Sequence, residues 1–318
     1  MVPSIARRRL LRTVGSIALG GLAGCTAPDV FGADGTEHEY TLTVDAVETS
    51  PVEYALYSPD DDPLFGAPAR ETLANILPDG RHTTYGYQPV TEDEYVEHDG
   101  RYFQTAVIVT GSDDIDRTLV RAEPLADDAT VPDDAVPVDS LDRPSARVVK
   151  ILHSHAQTGG ESDSDDLLRN GAYVLRRPAE RESPLSAGDL DGRVVTMQSG
   201  GPWNYRIETA TRRISETAYT TLALEVAASR EQFREVVFDT RIDADLTQES
   251  VSADVQSTLD RAIGRGRYVE TTPLSPSFET LLERLDLGSV DSGVNGQLLW
   301  YDASLYRYGL YISDASGD

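Results

Sequence analysis

Residues 70–103 read RETLANILPDGRHTTYGYQPVTEDEYVEHDGRYF, and three signals in this stretch decide the fold class. Leu73, Ile76 and Leu77 fall on one helical face, and Pro78 with Gly80 stops the helix. Asp99-Gly100 stands where a type I′ hairpin turn is favoured, because both central residues of that turn need positive φ. Helix, glycine stop, strand and hairpin in this order predict an antiparallel sheet with helices on one face.

The same order recurs. Residues 257–263 are followed by Gly264-Arg-Gly-Arg267, Pro273-Leu-Ser275 and a closing segment at 298–306. A weaker passage runs from 146–152 through Asn170-Gly171 and Pro184-Leu-Ser186 to Asp191-Gly192. A period this long and irregular predicts duplicated α+β units and argues against a solenoid. The expected fold class is therefore α+β: two or three repeated units of antiparallel sheet with helices packed on one face, after a signal peptide and tether. The expected boundaries are a signal peptide at 1–24, a polar tether at 25–37 and a first unit at 38–121. A linker follows at 122–142, then a second unit at 143–200 and a third at 201–318.

Local patterns sharpen this reading. Val255, Leu259, Ala262 and Ile263 predict a helix between a Ser252 cap and Gly264, and Phe278, Leu281, Leu282 and Leu285 predict another from Ser275-Pro276 to Gly288. Tyr40, Leu42 and Val44 alternate as one face of a strand. Residues 205–207 and 222–226 are expected to flank a longer hairpin, and Asp191-Gly192 to form a second type I′ turn.

Of the 318 residues 54 are acidic and 28 basic, for a formal charge of −26; Lys150 is the only lysine. Residues 1–24 hold four arginines and no acid, so their removal takes the balance to −30. Such a charge excludes nucleic-acid binding through a basic face. The hydrophobic share of 39% is enough for a core, which argues against disorder. At molar salt the Debye length falls to about 3 Å and the self-repulsion is screened, so this surface suits brine.

The first residues are expected to form a leader. Arg7, Arg8 and Arg9, with Arg12, precede a weakly apolar run at 14–23 and then Gly24-Cys25. A charged segment, a short apolar segment and a small-residue cleavage site make up a signal peptide. About ten residues are too few to span a hydrocarbon core of about 30 Å. The arginines before Leu10-Leu11 resemble a twin-arginine export signal, and Leu22-Ala23-Gly24-Cys25 resembles a lipobox. The resemblance implies that Cys25, the sole cysteine, receives lipid and becomes the mature N-terminus. With its lysine-poor, aspartate-rich body the whole chain resembles the lipoproteins of haloarchaeal cell surfaces. That resemblance implies passage through the twin-arginine export machinery and a lipid anchor on the outer face of the cytoplasmic membrane. One acyl-type chain gives marginal retention, and a diether lipid would supply two chains.

No catalytic constellation stands out. Met197-Gln-Ser-Gly-Gly-Pro202 is similar to the nucleophile segment of chymotrypsin-like proteases, with His153 or His155 and Asp165 as partners. Gln198 and Met197 depart from that pattern, and the histidines fall in an expected helix, where i and i+2 point about 200° apart. The same geometry argues against a metal site at His153, His155, Asp163, Asp165 and Asp166. The aromatic tail, Trp300-Tyr301 and 306–311, alternates as a half-buried strand does. No dinucleotide or phosphate-loop fingerprint, CxxC or HExxH is present. No catalytic, cofactor or metal residue is therefore assigned. The expected function is a non-catalytic binding or scaffolding module whose protein or small-molecule ligand is unassigned. The alternatives are a solute-binding receptor of a transporter, which needs two α/β lobes with parallel sheets, and a hydrolase.

Overall fold

The computed structural model describes residues 37–126, 128–159, 165–198, 201–290 and 293–314. The first elements are β1 (His38–Val47), α1 (Pro51–Ala55), α2 (Gly66–Ile76), β2 (Arg81–Tyr85), β3 (Tyr95–His98) and β4 (Arg101–Pro124). Next come β5 (Val136–Pro137), α3 (Arg143–Gln157), β6 (Leu168–Arg169), β7 (Ala172–Val174), α4 (Pro178–Arg181) and α5 (Pro184–Ala187). They are followed by β8 (Val194–Gln198), β9 (Pro202–Ala227), α6 (Arg230–Thr240) and β10 (Ala244–Leu246). The chain closes with α7 (Ala253–Arg265), β11 (Arg267–Thr271), α8 (Pro276–Arg284), β12 (Val294–Tyr301) and β13 (Ser304–Asp314). The protein is mixed α+β with predominantly antiparallel sheets, as the helix and hairpin signals predict.

Two compact units form, and neither is continuous in sequence. The larger comprises Asp45–Val251 and Gly296–Tyr308; of the described residues the smaller takes 37–44, Ser252–Asn295 and 309–314. The sequence-based division was serial and cuts the chain differently, because pairing joins strands far apart in sequence. β4 and β9 run antiparallel from Tyr102↔Ala227 to Pro124↔Tyr205, with irregularities at Tyr102/Phe103 and Val109/Gly111.

This ribbon organises the larger unit. The sheet order is β5-β8-β9-β4-β7-β6, with β2 also on β9 and β3 on β4. At one end of the ribbon Val120, Tyr205 and Ile207 pack with Val148, Val149 and Leu152 of α3, beside Tyr173, Leu185 and Met197. At the other end Tyr102 and Ala227 pack with Phe233 and Val237 of α6, Val52 and Tyr95. The Tyr102 and Phe233 rings stack at 4.3 Å. Between the two cores most of β4 from Ile108 to Asp116 is exposed.

The hairpin expected between 205–207 and 222–226 does not form: both segments belong to the single strand β9. The intervening ETATRRISETAYTT holds no Gly, Pro, Asn or Asp to start a turn, and β4 offers a continuous partner. Asp99-Gly100 does turn β3 into β4, with φ of 51° and 74°. Asn170-Gly171 does the same between β6 and β7, with φ of 51° and 74°. Asp191-Gly192 instead leads from α5 into β8, and Asp191 Oδ1 accepts the Thr209 N–H at 2.7 Å. The stretch expected as a linker seats Val138 in the α3 core, with Ala122, Val136 and Leu141 packed against it.

In the smaller unit β1 pairs with β11 from Glu39↔Thr271 to Thr43↔Arg267. Tyr40, Leu42 and Val44 are buried, as the alternation predicts. Val255, Leu259 and Ala262 of α7 and Phe278, Leu281 and Leu282 of α8 are buried with them. Ser252 caps α7 and Ser275 caps α8. The first of these helices passes through Gly264 and ends one residue later at Arg265, where Gly266 takes the left-handed cap at φ 72°. β13 passes from the larger unit into the smaller after Tyr308; along it Tyr308 and Leu310 are buried while Arg307 and Tyr311 are exposed, so the aromatic tail does alternate.

Candidate functional site

A pocket of about 290 Å³ opens beside the middle of the ribbon, between its two cores. Its lining includes Arg117, Arg176, Arg181, Tyr87, His82 and Glu71. Each arginine arrives from a different piece of structure. Arg117 follows Ile115 by two residues on β4 and shares its face. Arg176 lies in the short loop between β7 and α4, and Arg181 ends α4.

The pocket rests on one carboxylate. Glu216 of β9 is 1% exposed and accepts two bonds from Arg176 Nε, at 3.0 and 3.2 Å. Arg117 Nε lies 3.7 Å from the same carboxylate, an ion pair without a hydrogen bond, and that Nε is buried with no hydrogen-bond partner. Arg117 and Arg176 are 6% and 5% exposed, so two buried guanidinia share one buried carboxylate. Arg117 Nη2 donates to the Tyr85 carbonyl at 3.0 Å, and Arg176 Nη1 to the Leu167 carbonyl at 3.1 Å. Gly86, at φ 77°, makes this approach possible: a Cβ there would collide with the Glu216 and Arg176 side chains.

A second carboxylate fixes the loop that presents Arg176. Glu180, also 1% exposed, is the third residue of α4 and reaches back to the N–H groups of Arg176 and Arg177 at 2.9 and 3.0 Å. It also accepts the Tyr173 hydroxyl at 2.6 Å, and Arg147 donates to Tyr173 at 2.7 Å. Arg177 lies 4.9 Å from the Phe65 ring centre and 5.7 Å from that of Tyr87.

The electrostatics run against the rest of the molecule. Burial holds the Arg117 guanidinium below its ordinary pKa; Glu216 opposes this, and the like charges of Arg181 and Arg176 reinforce it. Burial raises the Tyr87 phenol, opposed by Arg181, reinforced by Glu71 and opposed again by Arg177 and Arg117. Guanidinia hold their protons across the accessible pH range, so these arginines recognise charge and do not transfer protons.

The residues singled out from sequence lie elsewhere. Arg7, Arg8, Arg9, Leu22, Ala23, Gly24 and Cys25 lie outside the described residues, as do Asp163 and Ser199. His153 and His155 are on α3, and His153 Nδ1 sits 2.6 Å from the Tyr205 hydroxyl, beside Trp203. Burial lowers the His153 pKa. Among the described residues no group of three or more His, Cys, Asp or Glu is arranged to hold a metal ion. An open groove of about 640 Å³ along Phe103, Ile108, Leu222 and Leu224 also marks the ribbon, but its Arg101 is already paired with Glu225 at 2.9 Å.

Sequence reading missed the arginine pocket. One signal was present: residues 169–181 hold Arg169, Arg176, Arg177 and Arg181 against the single acid Glu180, a basic island in an acidic chain. Arg117 and Glu216 carry no such signal: they lie on separate strands, and pairing sets Arg117 opposite Arg212 and Glu216 opposite Asp113, so the two meet through the reach of their side chains along the ribbon. No family model, curated protein or solved structure matches the chain, so the pocket is read from its geometry.

Proposed function

We propose that this chain is an extracytoplasmic lipoprotein, held on the outer face of the cytoplasmic membrane through lipid on Cys25, whose acidic body is a non-catalytic binding module. The anchoring half rests on the sequence: the arginines at 7–9, the weakly apolar run at 14–23, and a sole cysteine after Leu22-Ala23-Gly24. No helix among the described residues is long and apolar enough to cross a membrane. The binding half rests on one observation, the pocket in which Arg117 and Arg176 share Glu216. Leaving one charge of a buried set uncompensated costs about 3–5 kcal/mol, and a small ligand seated there would offset it. The receptor alternative needs parallel-stranded lobes, whereas the parallel pairs described here are the short β5–β8 and β10–β12 contacts.

Labelled-lipid incorporation and membrane fractionation, comparing the wild-type chain with Cys25→Ser, test the anchor. The expected result is labelled, membrane-bound wild type and unlabelled, released variant. A variant that stays as firmly attached as wild type would remove the anchoring half.

A further inference from the structure

The binding reading leaves the ligand open, and the chemistry of the pocket narrows it. We propose that the pocket binds the oxyanion group of a small molecule, a carboxylate, phosphate or sulfate, between Arg117, Arg176 and Arg181. This rests on the binding reading above and assigns its ligand class.

Three observations converge on an oxyanion. First, Arg117 and Arg176 are buried and, among the described residues, Glu216 is the one carboxylate paired with them, so the floor of the pocket carries an excess positive charge. Second, Arg181 lines the same pocket from its exposed position at the end of α4, adding a third guanidinium whose charge is felt at both Arg117 and Tyr87. Among the described residues of the lining Glu71 is the one acidic side chain, and it is exposed. Third, a guanidinium offers paired N–H donors in a planar fork, which matches carboxylate and phosphate oxygens better than it matches a spherical halide.

Size and charge exclude a macromolecular anion. A pocket of about 290 Å³ has room for a phosphate or a short dicarboxylate. A nucleic acid or acidic polysaccharide would also have to lie against a surface of the same sign. A small anion inside the pocket stands within one Debye length, about 8 Å at physiological ionic strength, of the guanidinia lining it, while more distant surface carboxylates are screened.

Glu216 follows as the resident partner of the two buried arginines, already holding part of the space an incoming oxyanion completes. Its neutral form, Glu216→Gln, leaves both guanidinia without a carboxylate and makes the fold dependent on the ligand anion. Arg181→Gln removes a charge from the rim, where no buried pair is disturbed.

The test is calorimetric titration and thermal denaturation of the detergent-solubilised full chain with sodium phosphate, sulfate, acetate and succinate. Each is measured against sodium chloride at equal ionic strength, with neutral sugars and amides as a second probe set. At least one oxyanion is expected to bind saturably, with roughly tenfold weaker binding in Arg181→Gln. Glu216→Gln is expected to show the larger thermal shift on adding that oxyanion. The proposal is overturned if no oxyanion binds better than chloride, or if Arg181→Gln binds as wild type does. Binding of a neutral probe without any oxyanion response overturns the ligand class and spares the binding reading; silence from both sets removes both. If Glu216→Gln does not fold, the Arg181→Gln comparison decides alone.

Discussion

Glu180 accepts four hydrogen bonds, from Tyr173, Arg147 and the backbone of Arg176 and Arg177, and is almost fully buried. Removing it strands the Tyr173 hydroxyl and two backbone N–H groups, while Arg147 keeps its bond to Tyr173, so Glu180→Ala should lose about 3–5 kcal/mol in urea unfolding. It should also weaken any ligand of the pocket, because Arg176 loses the loop that presents it. Tyr173 gives a sharper pH signature. Burial, the Glu180 charge and their hydrogen bond raise its phenol from 10.0 to about 12. The unfolded chain therefore loses this proton first. The contribution is complete below 10.0 and disappears as pH rises through about 12. Tyr173→Phe should flatten the alkaline limb of the stability profile, and an unchanged limb would contradict the assignment. On the acid side, burial lowers His153 from 6.5, so its contribution is complete above 6.5 and falls as pH drops through its folded value. His153→Asn should shallow that slope in unfolding curves taken across the same range.

Among the elements, those set by local chemistry were legible in the sequence. Ser252 and Ser275 cap α7 and α8, Asp99-Gly100 turns β3 into β4, and the buried stripes on both helices fall where their periodicity places them. Gly264 looks like the stop of α7, yet two residues later Gly266 holds the left-handed cap and Gly264 stays helical. The two glycines should respond oppositely. Gly266→Ala meets no neighbour but is forced to φ 72°, and should cost about 1–2 kcal/mol. Gly264→Ala, also without a close neighbour, should gain about 0.5–1 kcal/mol from helix propensity. Thermal melts of both variants check this pair. The β4–β9 ribbon was not legible, since register between residues 102–124 and 205–227 is a tertiary choice that leaves no local mark. The pocket was hidden for the same reason: Arg117 and Glu216 come near each other only once the strands are paired, Arg117 opposite Arg212 and Glu216 opposite Asp113.

For the whole molecule, charge is the dominant fact. The net charge of −26 becomes −30 without residues 1–24, and lysine is nearly absent. Raising salt from about 0.15 M to about 1 M shortens the Debye length from about 8 Å to about 3 Å, so the melting temperature should rise with salt. The same screening leaves the buried Arg117–Glu216–Arg176 cluster almost untouched, which separates the surface term from the pocket. The proposed placement of the body outside the cell, where the pocket would meet small solutes, depends on what happens at Cys25. Intact-mass spectrometry of the chain extracted from membranes measures this directly. The account predicts a mature chain that begins at Cys25 and carries a lipid adduct. A chain that retains residues 1–24, or one that begins at Cys25 without added mass, would contradict it.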